Sequence, residues 1–108
     1  MVKAVQAATG WPVTAEELLR IGERATNLAH VFNVREGFSR KDDTLPDRLF
    51  TPLENGPLAG VGISRPEFER AMADLYIAKG WNPETGAPTR KRLKTLDIEW
   101  AADLMKAA

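Results

Sequence analysis

The chain has 108 residues, with 15 basic and 15 acidic side chains, one histidine and no cysteine. This length suits a single domain, and the balanced charge supplies no field to gather nucleic acid. The missing cysteines exclude a disulfide scaffold, a Cys-type zinc site and an iron–sulfur cluster held by this chain. A lone His30 excludes a multi-histidine metal centre. No apolar run approaches the roughly 20 residues of a membrane span, and the N-terminus lacks a signal-peptide layout. The expectation is therefore a cytoplasmic protein with neither nucleic acid nor membrane as a partner. Folding at this length should remove roughly 60–70% of the unfolded chain's surface.

Residues 1–9 read as a short helix favoured by Ala4, Ala7 and Ala8. It is closed by Gly10 and the Trp11-Pro12 pair. No capping residue precedes it. Either an upstream part has been removed or the helix begins at a frayed native terminus.

Thr14-Ala15-Glu16-Glu17 is a capping box, and the two glutamates suit the positive end of the helix dipole. The helix it opens runs over 15–35, about 30 Å long. Leu18, Ile21, Ala25, Leu28 and Phe32 form an apolar stripe at steps of three and four. Gly22 beside the stripe costs about 1 kcal/mol against alanine, so a close-packed neighbour is expected there. Arg20, Arg24, Asn27, Val31 and Arg35 occupy the other side. That row reads either as a solvated face or as a second interface rich in arginine. His30 lies on the polar side, where a surface histidine is the expectation.

Gly37 should end the helix in the left-handed region. Residues 36–63 then lack any period, beyond a turn of helix or strand near 48–50. Pro46, Pro52, Pro57, Gly56, Gly60 and Gly62 break regular structure. A loop this long in a small domain is uncommon. Phe38, Leu45, Leu49, Phe50, Leu53 and Leu58 call for burial, so the loop should be ordered by wrapping over a surface, part of it in another domain. Asp42-Asp43 lacks the further oxygen ligands of a calcium loop. Pairing with Arg35, Arg40 or Arg48 is the preferred reading, fixing the loop's shape.

Ser64-Arg65-Pro66-Glu67 reads as a second capping box. Its helix, over 64–79, carries Phe68, Ala71, Met72, Leu75 and Tyr76 as the core face. Gly80 and Trp81 fit a Schellman ending, with Trp81 against Tyr76. Residues 82–86 are a turn by composition. Thr89 caps a short helix over 90–96 whose Arg90, Lys91, Arg92 and Lys94 read as a solvated face, with phosphate binding the alternative. A last amphipathic helix covers 97–106, with Trp100 at its edge. The fold class is all-α: four to five helices, with a long ordered loop over 36–63 between the second and third. No phosphate loop, nucleophile elbow or dinucleotide fingerprint occurs.

Several stretches together resemble the C-terminal domain of the tungsten-containing aldehyde ferredoxin oxidoreductase family. They are Gly22-Glu23-Arg24, Asn27-Leu28, Phe32-Asn33, Arg35-Glu36-Gly37, Arg40, Asp42-Asp43, Leu45-Pro46 and Arg48. Downstream they are Gly56-Pro57, Tyr76, Gly80-Trp81, Thr85-Gly86 and Pro88. The resemblance departs at His30, where the family often has arginine, and at Asp97-Ile98, where Gly-Leu is more usual.

The resemblance implies a helical piece, residues 1–108, of a larger enzyme that oxidises aldehydes to carboxylic acids. That enzyme uses a tungsten (or molybdenum) bis-pterin and a [4Fe–4S] cluster and passes electrons to ferredoxin. The family's cluster cysteines and its DxxGLC pterin motif lie upstream of the region matched. It follows that no catalytic, cofactor-binding or metal residue is assigned in this chain, which alone should be inactive. Its partners would be the upstream domains of its own polypeptide, or a second copy of the isolated domain. Arg24, Asn27, Arg35, Arg40, Asp42, Asp43 and Arg48 are the candidates for fixing the loop or an interface. The alternative is a stand-alone helical interaction module that docks through the arginine row and the loop.

Overall fold

The computed structural model describes residues 1–106. Among them the regular structure is helical, in the order α1 (Val2–Thr9), α2 (Ala15–Arg35), α3 (Arg65–Lys79), α4 (Arg90–Thr95) and α5 (Ala102–Lys106). Short 3-10 turns occupy Arg40–Asp42, Asp47–Leu49 and Glu99–Ala101. The all-α reading and the irregular connection between α2 and α3 are both observed.

Local chemistry sets the helix ends. Thr14 Oγ accepts the Glu17 amide at 3.1 Å, while Glu17 Oε2 accepts the Thr14 amide at 3.3 Å. α2 ends at Arg35, and Gly37 follows at φ 98°. Ser64 accepts the Glu67 amide at 3.5 Å, but the reciprocal bond of a full capping box is absent. Thr89 Oγ accepts the Arg92 amide at 3.2 Å and opens α4. The end of α3 is a complete Schellman motif. Gly80 lies at φ 75°, its amide donates to Ile77 O at 3.0 Å, and the Trp81 amide donates to Tyr76 O at 2.8 Å.

The most deeply buried positions of α2 lie outside its apolar stripe, of which Leu28 still packs against the core. Asn27 and Val31 are buried, whereas Phe32 is 55% exposed and Ile21 is exposed too. The core is a cluster of Val31, Leu93, Leu96, Ile98, Ala101 and Ala102, with Leu28 and Met105 packed against it. The C-terminal helices therefore lie across the Asn27–Val31 side of α2. Arg20, Arg24, Asn27 and Val31 of the arginine row face this seam within the chain, while Arg35 lies apart from it and pairs with Glu36.

Gly22 also departs from expectation. A Cβ built there meets nothing within 4 Å. It borders an open groove of about 380 Å³ that also includes Leu18, Thr26 and Ala78.

The molecule is broad and flat, 56 × 39 × 20 Å, with a radius of gyration of 18.6 Å. A compact chain of this length has a radius of about 13 Å. Its accessible surface is 7794 Å², against about 5,900 Å² for a compact monomer of this mass. Burial on folding is thus lower than chain length alone suggests. α1 buries no residue, and residues 51–62 are all exposed.

Candidate functional site

The densest set of interactions lies where α2, the start of the loop, the end of α3 and the 81–88 turn converge. The Schellman ending places the Trp81 ring 6.0 Å from that of Tyr76. The following turn is tied by the Asn82 amide to Ala87 O at 2.8 Å and the Gly86 amide to Asn82 O at 2.7 Å. Asn82 Oδ1 also accepts the amides of Glu84 and Thr85. The turn carries Gly86 under α2, and a Cβ on Gly86 would sit 3.4 Å from the Tyr76 hydroxyl and 3.5 Å from the Arg40 backbone.

From α2, Asn27 Oδ1 accepts the Trp81 indole N–H at 2.8 Å, and Asn27 Nδ2 donates to Glu23 O at 2.8 Å. Both polar ends of this buried amide are thereby satisfied. One turn on, the His30 ring lies flat on the indole of Trp81, with centroids 3.9 Å apart and planes 5° apart. Its Nε2 meets the Gly86 carbonyl. A carbonyl only accepts, so Nε2 carries the proton. His30 is a packing element and not the simple surface residue its position on the polar side suggested. Lys79 Nζ lies 5.2 Å from the Trp81 ring centroid.

The loop enters through Arg40 and Asp43. The Arg40 amide donates to Thr85 O at 3.0 Å. Its guanidinium lies 5.2 Å from the Tyr76 ring centroid and binds Glu69 Oε2 at 2.7 Å. Arg40 Nη1 is buried without a protein acceptor. The Tyr76 hydroxyl donates to Asp43 Oδ2. Tyr76 is 1% exposed. Burial first, then the bond to Asp43 and its negative charge, push its hydroxyl up to about 12, with Arg40 opposing. A phenol so held stays protonated and committed to Asp43 near neutral pH. A cavity of about 50 Å³ remains beside His30, Asn33, Asp43 and Gly86, enough for water and too small for a substrate.

A second cluster joins α2 to the end of α4. Arg20 Nη2 donates to Thr95 O, and Arg24 Nε donates to Leu96 O at 2.7 Å. Both arginines reach Asp97 Oδ2, at 3.0 and 3.4 Å. The two cations thus meet the negative end of the α4 dipole. Asp97 has φ 60°, the left-handed region that costs a side chain energy.

With this geometry in hand, the comparisons with known proteins are direct. Residues 1–98 match the family model described as aldehyde ferredoxin oxidoreductase, domains 2 and 3. The chain belongs to the aldehyde ferredoxin oxidoreductase family. It is 36% identical over 97 residues to the tungsten-containing aldehyde ferredoxin oxidoreductase of Pyrococcus abyssi, covering 88% of this chain and 15% of that protein. It is 35% identical over 96 residues to the protein of the same description from Thermococcus kodakarensis, covering 87% and 15%. It is 31% identical over 98 residues to an aliphatic sulfonate oxidoreductase, WOR-like subunit, of Pyrococcus furiosus, covering 85% and 16%. The chain thus spans about a seventh of the length of these relatives.

Set against this family segment, the sequence-derived candidates divide. Asn27, Arg40 and Asp43 meet at the Tyr76–Trp81 junction, and Arg24 secures the end of α4. Arg35 pairs only with its neighbour Glu36 at 2.9 Å and lies over the Phe32 ring. Asp42 caps its own turn by accepting the Ser39 amide at 2.9 Å. Arg48 has no ion pair among the described residues and borders a groove in the loop. Among the described residues the expected ion pair of Asp42 or Asp43 with an arginine does not form: Asp43 takes a phenol and Asp42 a backbone amide. The loop's ion pairs run to α3 instead, Arg40–Glu69 at 2.7 Å and Asp47–Arg65 at 3.3 Å.

Half of the basic run on α4 is also used internally. Arg90 pairs with Asp103 at 2.6 Å and holds that carboxyl below its usual range by hydrogen bond and charge. Arg92 pairs with Glu23 at 2.8 Å.

The donor set does not fit direct ligation of an iron–sulfur cluster. No cysteine is present. The one histidine is engaged with Trp81 and Gly86. Among the described residues no three His, Cys, Asp or Glu side chains gather where they could hold a metal, and no helix is long and apolar enough to cross a membrane.

Proposed function

We propose that this chain is the C-terminal helical part of an aldehyde:ferredoxin oxidoreductase and that it acts by support, not by supplying reacting groups. The match of residues 1–98 to a domain of that family carries the reading. The whole enzyme oxidises aldehydes to carboxylic acids and hands the electrons to ferredoxin. Its [4Fe–4S] cluster is held by other parts of the polypeptide, because this chain offers no thiolate ligand, and its tungsten (or molybdenum) bis-pterin is read as held upstream with the cluster.

The contacts that shape the supporting segment are its own internal ones. The Asn27–Trp81–His30 stack and the Asp43–Tyr76 bond set the angle between α2, α3 and the loop. A rigid platform of this kind holds a neighbouring domain without touching substrate.

The gene tests the reading. An open reading frame carrying cysteine-rich, pterin-binding sequence ahead of these residues is expected, and the protein it encodes should contain tungsten or molybdenum and oxidise aldehydes with ferredoxin as acceptor. The 108-residue chain alone should do neither. Aldehyde oxidation by the chain alone, or a frame with nothing ahead of it, overturns the reading. The alternative, an interaction module, would dock through the loop and what remains exposed of the arginine row, since Arg20 and Arg24 already bond the end of α4.

A further inference from the structure

Residues 47–65 form an arm that is fastened only at its base. There, Asp47 pairs with Arg65, the Phe50 ring meets the Phe68 ring edge-on at 5.5 Å, and the Ile63 amide donates to Leu49 O at 3.0 Å. Beyond the base the arm bonds to itself. The Leu53 amide donates to Val61 O, and the Gly60 amide returns to Leu53 O. Gly62 lies hard against the backbone of Thr51 and Pro52, with a built Cβ 3.0 Å from Pro52 N. The arm is therefore a shaped element whose two limbs are pressed together.

Its surface is unusual for a part facing water. Leu49, Leu53, Leu58, Val61 and Ile63 are 41–60% exposed, and Leu49, Leu53, Val61 and Ile63 line an open groove of about 230 Å³. Across residues 49–63 the only charged side chain is Glu54, in a chain whose charged content is 28%. Depletion of charge at the centre of an apolar patch marks an interface core. The area agrees. The chain exposes about 1,900 Å² more than a compact monomer of its mass, more than twice the roughly 800 Å² that one partner contributes to a standard interface.

We propose that the 49–63 arm docks through Leu49, Leu53, Leu58, Val61 and Ile63 into an apolar, charge-poor surface on the remainder of the same polypeptide. The proposal rests on the reading of the chain as part of a longer enzyme. Relatives about six times its length have ample further chain to present such a surface. It also moves the docking role away from the charged 22–48 stretch, whose arginines and carboxylates are largely satisfied within the chain.

The test is hydrogen exchange on the intact polypeptide encoded by the gene, with Leu53→Glu and Val61→Glu as variants and Lys91→Glu as a surface control. The arm amides of residues 51–62 should exchange slowly in the parent protein and about tenfold or more faster in either arm variant. The control should match the parent. Circular dichroism of the 108-residue chain carrying the same arm variants should show unchanged helix, since both side chains are solvated there. Fast exchange of the arm in the intact parent overturns the docking site and leaves the wider reading standing. A dimer of the 108-residue chain that Leu53→Glu dissolves assigns the arm to a second copy and overturns the proposed occupant. A reading frame limited to these residues removes the wider reading itself.

Discussion

His30 and Trp81 lie ring on ring, 3.9 Å apart and nearly parallel, and the same histidine holds the carbonyl of Gly86. This pair joins the middle of α2 to the turn after α3. His30→Ala removes both contacts and should cost about 1–3 kcal/mol. His30→Arg should cost less than half of that, because a planar guanidinium also stacks on indole and donates to a carbonyl. Urea unfolding of the two variants checks the ordering. Equal losses for alanine and arginine would mean that the stack contributes nothing.

Asn27→Leu leaves the indole N–H of Trp81 buried without an acceptor. A loss of about 1–3 kcal/mol is expected. In a Trp81→Phe background that N–H is gone, so Asn27→Leu should cost clearly less there. A double-mutant cycle by thermal unfolding measures the coupling, and additive losses sink the assignment.

Asp97 combines a left-handed backbone with two arginine partners, and these pull in opposite directions. Asp97→Gly relieves the backbone but loses the ion pairs, which at this exposure contribute about 0–1 kcal/mol. Asp97→Ala loses the pairs and keeps the strain, so it should be less stable than the glycine variant by about 1 kcal/mol. The parent should also lose more stability with added salt than either variant. Denaturation at low and high salt gives both comparisons.

Tyr76 makes stability depend on alkaline pH. Its folded value, about 12, lies above the ordinary 10. Between those values the folded chain keeps a proton that the unfolded chain releases, so the stabilisation is intact below pH 10 and falls as pH rises to 12. The loss is about 2–3 kcal/mol across that window. Tyr76→Phe should flatten this slope while costing about 1 kcal/mol at neutral pH. Chemical denaturation at several pH values from 8 to 12, with the phenylalanine variant alongside, reads it directly.

Gly22→Ala should raise stability by about 1 kcal/mol in this chain. The position is inside α2, and a methyl group there meets nothing within 4 Å. A melting temperature that falls instead would reveal packing at the groove.

The elements most legible in the sequence were those set by neighbouring residues. The Thr14 box, the Thr89 cap and the Gly80-Trp81 ending each depend on contacts spanning a few positions, and each formed. The Tyr76–Trp81 contact that the Schellman pattern predicted even marks the centre of the candidate site. The buried face of α2 was not legible. Two rows on that helix have helical spacing, and the choice between them is made by α4 and α5, more than 50 residues away. Leu18, Ile21 and Phe32 look like the core by composition, yet Asn27 and Val31 fill it because Trp81, Leu93 and Ala102 arrive on that side. Asp43 illustrates the same limit. A carboxylate among arginines suggests an ion pair, but Tyr76 comes closer through the tertiary path of the loop.

The arginine seam has a consequence for how the chain acquires its structure. Arg20 meets Thr95 across 75 residues of sequence, and Arg24 meets Leu96 across 72. Val31 finds Leu93, Ile98 and Ala102 over similar distances. Loop closure over such spans is slow and is rewarded only when both ends are present. During synthesis α2 therefore leaves the ribosome with its future core side bare, and that side stays wet until nearly the whole segment has followed. Residues 89–106 act as the latch of the fold, and removing them should leave α2 closed only against Trp81 and Gly86, with Val31 bare to water.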